Sequence, residues 1–188
     1  MTQKKNYFEL FGLPETLNLD VKELQKRFYA LSRAVHPDFH QTATEAQKTL
    51  SLDASSELNQ AFLTLKDREK RLHYVINTYL GELSDAEKKQ TPSELLMQLM
   101  EIREKLEDFK HRKDDATRID LQREVQALRN EQQRIDEAIN NLMTQFDQAT
   151  TEETKRQVLA QIRKWLLKKN YLRSLASSIE SELNPSEV

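Results

Sequence analysis

No cysteine occurs among the 188 residues, so the chain has no disulfide, no thiol nucleophile and no thiolate metal site. Only 2 glycines and 4 prolines are present, too few to punctuate the many short turns of a β-rich fold, and an all-α fold is expected. No apolar run approaches the ~20 residues needed to cross a bilayer, and Met1 to Tyr7 is polar, without the apolar centre of a signal peptide. These absences point to a soluble, cytoplasmic protein with no membrane partner. A charge excess is missing as well: 29 Lys and Arg against 31 Asp and Glu give a net charge of −2. That balance provides no broad footprint for nucleic acid, so none is expected as a partner and any basic surface is local. A glycine-rich phosphate loop is absent. Of the 4 histidines, His36 and His40 stand at a spacing that suits a metal only on a continuous helix, which Pro37 interrupts. Neither a metal, a cofactor nor an enzyme activity is expected.

What is present is helical periodicity in two different styles, which predicts two domains. In the first half, Asn6 to Pro14 forms one turn stopped at Gly12 and Pro14, with Tyr7, Phe8, Leu10, Phe11 and Leu13 available for burial. Asp20 is a candidate N-cap with Glu23 three residues on. In the helix it opens, Val21, Leu24, Phe28, Leu31 and Val35 fall within about 80° and make a core stripe. Lys22, Lys26 and Arg33 fall within about 40° on the opposite side, with Arg27 on a flank. The helix is expected to end at Val35, because the residue before a proline is pushed out of helical geometry.

There begins His36-Pro37-Asp38, a tripeptide that average residue usage places by chance in roughly one chain of this size in a hundred. Pro37 restricts the loop, so less entropy is lost when His36 and Asp38 are held against a partner. Asp38 suits an arginine fork, and the basic row steers the domain toward an acidic surface. A third helical segment, about Thr44 to Leu65, carries Leu50, Leu58, Ala61, Phe62 and Leu65 and is able to pair antiparallel with the second. A fourth, Arg68 to Leu80, stops at Gly81.

Short helix, basic helix, His-Pro-Asp loop and antiparallel helix together resemble the J-domain of Hsp70 co-chaperones. The resemblance implies that His36, Pro37 and Asp38, with Lys22, Lys26, Arg27 and Arg33, dock on an Hsp70 and stimulate its ATP hydrolysis. Two residues depart from the commonest pattern: Phe39 follows the tripeptide where many members have a basic residue, and Tyr29 interrupts the basic row where many have lysine. Both imply a specialised branch with its own Hsp70.

In the second half, Ser93 is a candidate N-cap for a long helix in which Leu95, Leu99, Ile102, Leu106 and Phe109 recur at spacings of four and three. A second stripe runs Leu121, Val125, Leu128, Ile135, Ile139, Leu142, Phe146, interrupted by Gln132, and a third Ile162, Trp165, Leu172, Leu175, Ile179, Leu183, interrupted by Lys169. Three such helices predict an antiparallel bundle. The first of them has apolar residues to spare: Met97 lies about 200° around from Leu95, beside Glu101 and Glu104, where burial would drag carboxylates with it. A binding face is expected there.

Leu95 to Leu106, the Val35 to Phe39 loop and Tyr171-Leu-Arg-Ser-Leu175 are similar to the HscB family, the J-type co-chaperones of iron–sulfur cluster assembly. The likeness runs from about Asn6 to Leu183. It implies an L-shaped molecule with a J-domain packed on a three-helix bundle. It implies, too, that the bundle binds the cluster scaffold IscU and that the J-domain presents it to the dedicated Hsp70, HscA. By position, Leu96, Met97, Met100, Glu101, Glu104 and Asp108 fall where the family contacts the scaffold, and Tyr171 falls where an aromatic of the third helix joins them. The expected organisation is residues 1–81 as J-domain with its following helix, 82–92 as linker and 93–188 as scaffold-binding bundle. The amino-terminal domain is expected to fold on its own. Competing expectations are a general J-type co-chaperone, a metalloprotein and a structural coiled coil; the last leaves the His-Pro-Asp loop without a purpose.

Overall fold

The computed structural model describes residues 6–35, 45–84 and 93–184. Among these residues are seven helices and no strand: α1 (Tyr7–Leu10), α2 (Val21–Val35), α3 (Glu45–Lys66), α4 (Arg68–Leu80), α5 (Ser93–Arg112), α6 (Asp115–Gln148) and α7 (Glu152–Leu183). The all-α class expected from scarce glycine and proline is met. The chain divides into two compact units, one of Met1–Gly81 with Met143–Arg156, the other of Glu82–Leu142 with Gln157–Val188.

In the first unit α1, α2 and α4 each start at a side chain suited to start them. Asn6 Oδ1 accepts from the Phe8 amide at the head of α1. Asp20 Oδ1 accepts from the amides of Lys22 at 2.9 Å and Glu23 at 3.3 Å, satisfying donors that the first turn of α2 leaves open. Asp67 does the same for α4 through the Lys70 amide, and that helix ends at Gly81, whose φ of 74° suits a residue without a Cβ. Phe28 of α2 stacks on Phe62 of α3 with ring centroids 4.2 Å apart. Beneath them Phe8, Leu17, Leu24, Leu58, Ala61 and Leu65 are buried, and Tyr7 stacks on Tyr74 at 4.5 Å. Arg71 is the one buried charged residue among the described core. Its Nε donates to the Leu17 carbonyl at 3.1 Å and its Nη1 to that of Leu65, near the carboxyl end of α3, where a cation is favoured.

The first unit ends its amino-terminal segment at Gly81 and takes in Met143–Arg156 besides; part of the expected linker, 82–92, lies outside the described residues. Phe146, assigned by its spacing to a bundle stripe, is buried with its ring edge-on to Tyr79 at 5.9 Å. Asp147 accepts from the amides of Leu17 at 2.6 Å and Asn18 at 3.0 Å and from Asn18 Nδ2 at 2.8 Å. Lys155 pairs with Glu15 at 3.5 Å, and Arg156 donates to the Tyr79 carbonyl. Periodicity shows that a residue is buried; it does not say against which neighbour.

In the second unit the direction of the helices follows from their side-chain partners. From Asp136 with Lys169 at one end to Arg118 with the Leu183 carbonyl at the other, partners on α7 advance as those on α6 recede, so the two are antiparallel. Along α5, Arg103 acts on Tyr171 and Lys110 pairs with Glu182 at 3.4 Å, so α5 runs parallel to α7. The short turn from α5 to α6 has Lys113 at φ 49° and Asp114 capping α6 through the Thr117 amide at 2.8 Å. Leu95, Ile102, Phe109, Leu121, Leu128, Ile135, Ile162, Leu172 and Ile179 fill the space between the three helices. Lys169, the polar interruption of the third stripe, pairs with Asp136, which lets it remain half-buried.

Candidate protein-binding faces

On α2, Lys22, Lys26 and Arg33 are exposed. Arg27 is used differently: its Nε pairs with Glu23 at 2.8 Å and its Nη1 donates to the Phe11 carbonyl at 3.0 Å. It ties α2 to the end of α1. Gly12, at φ 60°, has the backbone geometry that favours glycine, and a Cβ there would stand 3.2 Å from Arg27 Nη1, a tight contact that the guanidinium would have to ease by a few tenths of an ångström. His36, Pro37, Asp38 and Phe39 lie outside the described residues. Tyr29 is 55% exposed and its hydroxyl accepts from Gln25 Nε2 at 3.1 Å.

On α5, Leu96, Met97, Met100, Glu101, Glu104 and Asp108 are all exposed and occupy a wedge of about 140° opposite buried Leu95, Ile102 and Phe109. Met97 is 74% and Met100 70% exposed, far more than an unbranched apolar side chain takes up when it fills a core gap. Tyr171 is half-buried on α7. Its hydroxyl is buried and has no hydrogen-bond partner among the described residues; burial pushes its pKa up, and Arg103 pulls partly the other way. Since Arg103 borders the α5 wedge beside Leu96 and Met100, Tyr171 is adjacent to that edge. A face of apolar and acidic side chains with one unsatisfied hydroxyl at its margin is suited to a protein surface with apolar and basic groups.

Two residues escape the sequence pattern. Leu52 and Leu63 on α3 are 60% and 59% exposed. A signal for Leu63 is available, because it follows Phe62 by one residue and so turns out of the stripe that Leu58, Ala61 and Leu65 define. No group of three or more metal-ligating side chains occurs among the described residues, and no helix there is long and apolar enough to cross a membrane.

The family model for the DnaJ domain matches residues 6–74. The chain is therefore a J-domain protein. A second family model, the HSCB C-terminal oligomerisation domain, matches residues 91–180. The chain is 35% identical over 143 residues to the co-chaperone protein HscB homolog of Photobacterium profundum, covering 76% of this chain and 82% of that one. With these matches the chain belongs to the HscB co-chaperone family. It is 40% identical over 115 residues to the HscB homolog of Shewanella baltica, where the match covers 61% of this chain and 66% of the relative, just under two thirds. Among solved structures, chaperone HscB from Vibrio cholerae is similar with a TM-score of 0.52 and 25% identity, covering 94% of this chain and 96% of that one. The fold is also similar to that of human co-chaperone protein HscB, with a TM-score of 0.58 and 23% identity over 98% of this chain and 85% of that one.

Proposed function

We propose that the protein is a cytoplasmic adaptor of iron–sulfur cluster assembly with no chemistry of its own. It binds the scaffold IscU through the α5 face and delivers it to an HscA-type Hsp70, whose ATPase it stimulates through the His-Pro-Asp loop. The exposure of Met97 and Met100 together on a J-domain protein carries this proposal, because it supplies a client-binding face in a chain that already has an Hsp70-binding module.

The physical roles divide between the two faces. Leu96, Met97 and Met100 exclude water from the scaffold, Glu101, Glu104 and Asp108 set a charged rim, and Tyr171 gains a partner for its hydroxyl on binding. Lys22, Lys26 and Arg33 draw the J-domain to an acidic surface, where Asp38 engages an arginine and His36 is held by the restricted loop. Arg27 contributes by holding α2 in place as well as by its charge.

The test is the steady-state ATPase rate of the HscA-type Hsp70 of the same organism, with its IscU, with and without this protein and its Asp38→Asn variant. Strong stimulation that needs both IscU and Asp38 is expected. Stimulation indifferent to IscU would replace the adaptor by a general co-chaperone, and no stimulation would remove the J-type function. His36→Gln is expected to abolish stimulation while leaving IscU binding intact.

A further inference from the structure

Tyr29, Leu52 and Leu63 are the large apolar side chains of the first unit that stand in solvent among the described residues. They belong to one side of the α2/α3 pair. The short connection makes these helices antiparallel, and the stacked Phe28 and Phe62 set their register. In an antiparallel pair, one step onward from a facing position turns to the same side on both helices. Tyr29 and Leu63 therefore emerge together at nearly the same height. Leu52, a whole number of turns before Leu63 to within about 20°, lies on the same line nearer the His-Pro-Asp segment in sequence. Leu24, Leu58, Ala61 and Leu65 all turn the other way, into the core that α1 helps to cover.

The same side carries the exposed Lys22, Lys26 and Arg33. Glu23 turns away and is already paired with Arg27, and Asp53 is the described acid of α3 nearest the edge of the face. The tyrosine ring is also held in advance: Gln25 binds its hydroxyl and Phe28 lies against it at 5.7 Å, so little ordering remains to be done on docking.

We propose that Tyr29 and Leu63, flanked by Leu52, form an apolar anchor within the basic docking face, and that its occupant is the Hsp70 through an apolar spot ringed by carboxylates. Charge complementarity selects this occupant. A row of cations gives fast encounter with any acidic Hsp70 but little choice among them. A desolvated apolar centre inside a charged rim supplies that choice. Tyr29, which breaks the basic row, and Leu63 thus determine which Hsp70 the protein prefers. The proposal rests on the J-type function above.

The test is a titration of ATPase stimulation against concentration of the protein, for the dedicated Hsp70 and for a general Hsp70 of the same organism. It compares the parent, the double variant Tyr29→Ala/Leu63→Ser and the single variant Tyr29→Lys. For the dedicated Hsp70 the double variant is expected to raise the half-maximal concentration about tenfold or more, as truncation of interface anchors does, with the maximal rate kept because the His-Pro-Asp loop is untouched. The general Hsp70 should respond as before. Tyr29→Lys, which keeps a long side chain on the exposed face, should narrow the preference even where the double variant melts early. Superimposed curves, or an equal loss toward both Hsp70s, would overturn the anchor while leaving the J-type function standing. A parent protein inert toward both would overturn that function and the anchor with it.

Discussion

Replacing Asp147 by alanine should destabilise the first unit by about 3 kcal/mol. The carboxylate accepts from the Leu17 amide at 2.6 Å, from the Asn18 amide at 3.0 Å and from Asn18 Nδ2 at 2.8 Å. A hydrogen bond to a charged acceptor contributes about 1.5–3 kcal/mol, and the upper part of that range applies only where water cannot substitute. Leu17 is fully buried, so its amide counts for about 2 kcal/mol, whereas the two bonds to Asn18 are exposed and together add about 1 kcal/mol. For a chain of this size the loss corresponds to a fall in Tm of roughly 6–12 °C. Asp147→Asn retains one acceptor oxygen and should lose about half as much. Urea titration followed by circular dichroism measures the total, and amide hydrogen exchange at Leu17 and Asn18 tests the location. Parent-like stability within about 0.5 kcal/mol for Asp147→Ala, or equal losses for Ala and Asn, would refute the assignment of these bonds as the clamp.

Met97→Ala with Met100→Ala should weaken IscU binding by roughly 30- to 100-fold, since burying a methionine contributes about 1.5–3 kcal/mol and each is already partly covered; isothermal titration would measure it, with unchanged Tm expected for two exposed sites. Lys113→Gly should raise stability by about 1 kcal/mol, because the lysine sits at φ 49° where glycine is unstrained, and chemical denaturation would detect the gain. Tyr74, Tyr79 and Tyr171 all have phenol pKa values raised above the ordinary 10.0, with burial as the leading cause. The folded state therefore holds these protons more tightly than the unfolded chain, so their contribution is fully present below about pH 10 and is lost as pH rises above it. Alkaline titration of tyrosinate absorbance should show delayed ionisation that ends with unfolding; ordinary titration of every tyrosine in the folded protein would contradict it.

Local signals carry much of the architecture. Asp20, Asp67 and Gly81 mark helix ends through bonds made within a few residues, and such bonds are legible wherever the right side chain precedes an apolar rhythm. The α5 face is legible for a related reason: the angle between Leu95 and Met97 is a property of the helix alone. Meetings between distant segments leave no such trace. Nothing near Asp147 announces that its partners are Leu17 and Asn18, and the basic flank gives no sign that Arg27 reaches back to Phe11. Leu63 is easily passed over, because an apolar residue just outside a buried stripe looks like part of it until the facing helix is in place.

The assignment of Met143–Arg156 to the first unit also sets a timetable. During synthesis the amide of Leu17 leaves the ribosome 130 residues ahead of the carboxylate that receives it. At ordinary elongation rates that interval is roughly ten seconds, long compared with the time in which helices and loops form. A nascent chain of residues 1–81 thus lacks the carboxylate that receives the Leu17 and Asn18 amides and the Phe146 ring that meets Tyr79, and an excised fragment of the same length lacks both for good. The unit that holds the DnaJ-domain match is completed only after most of the other unit has been made.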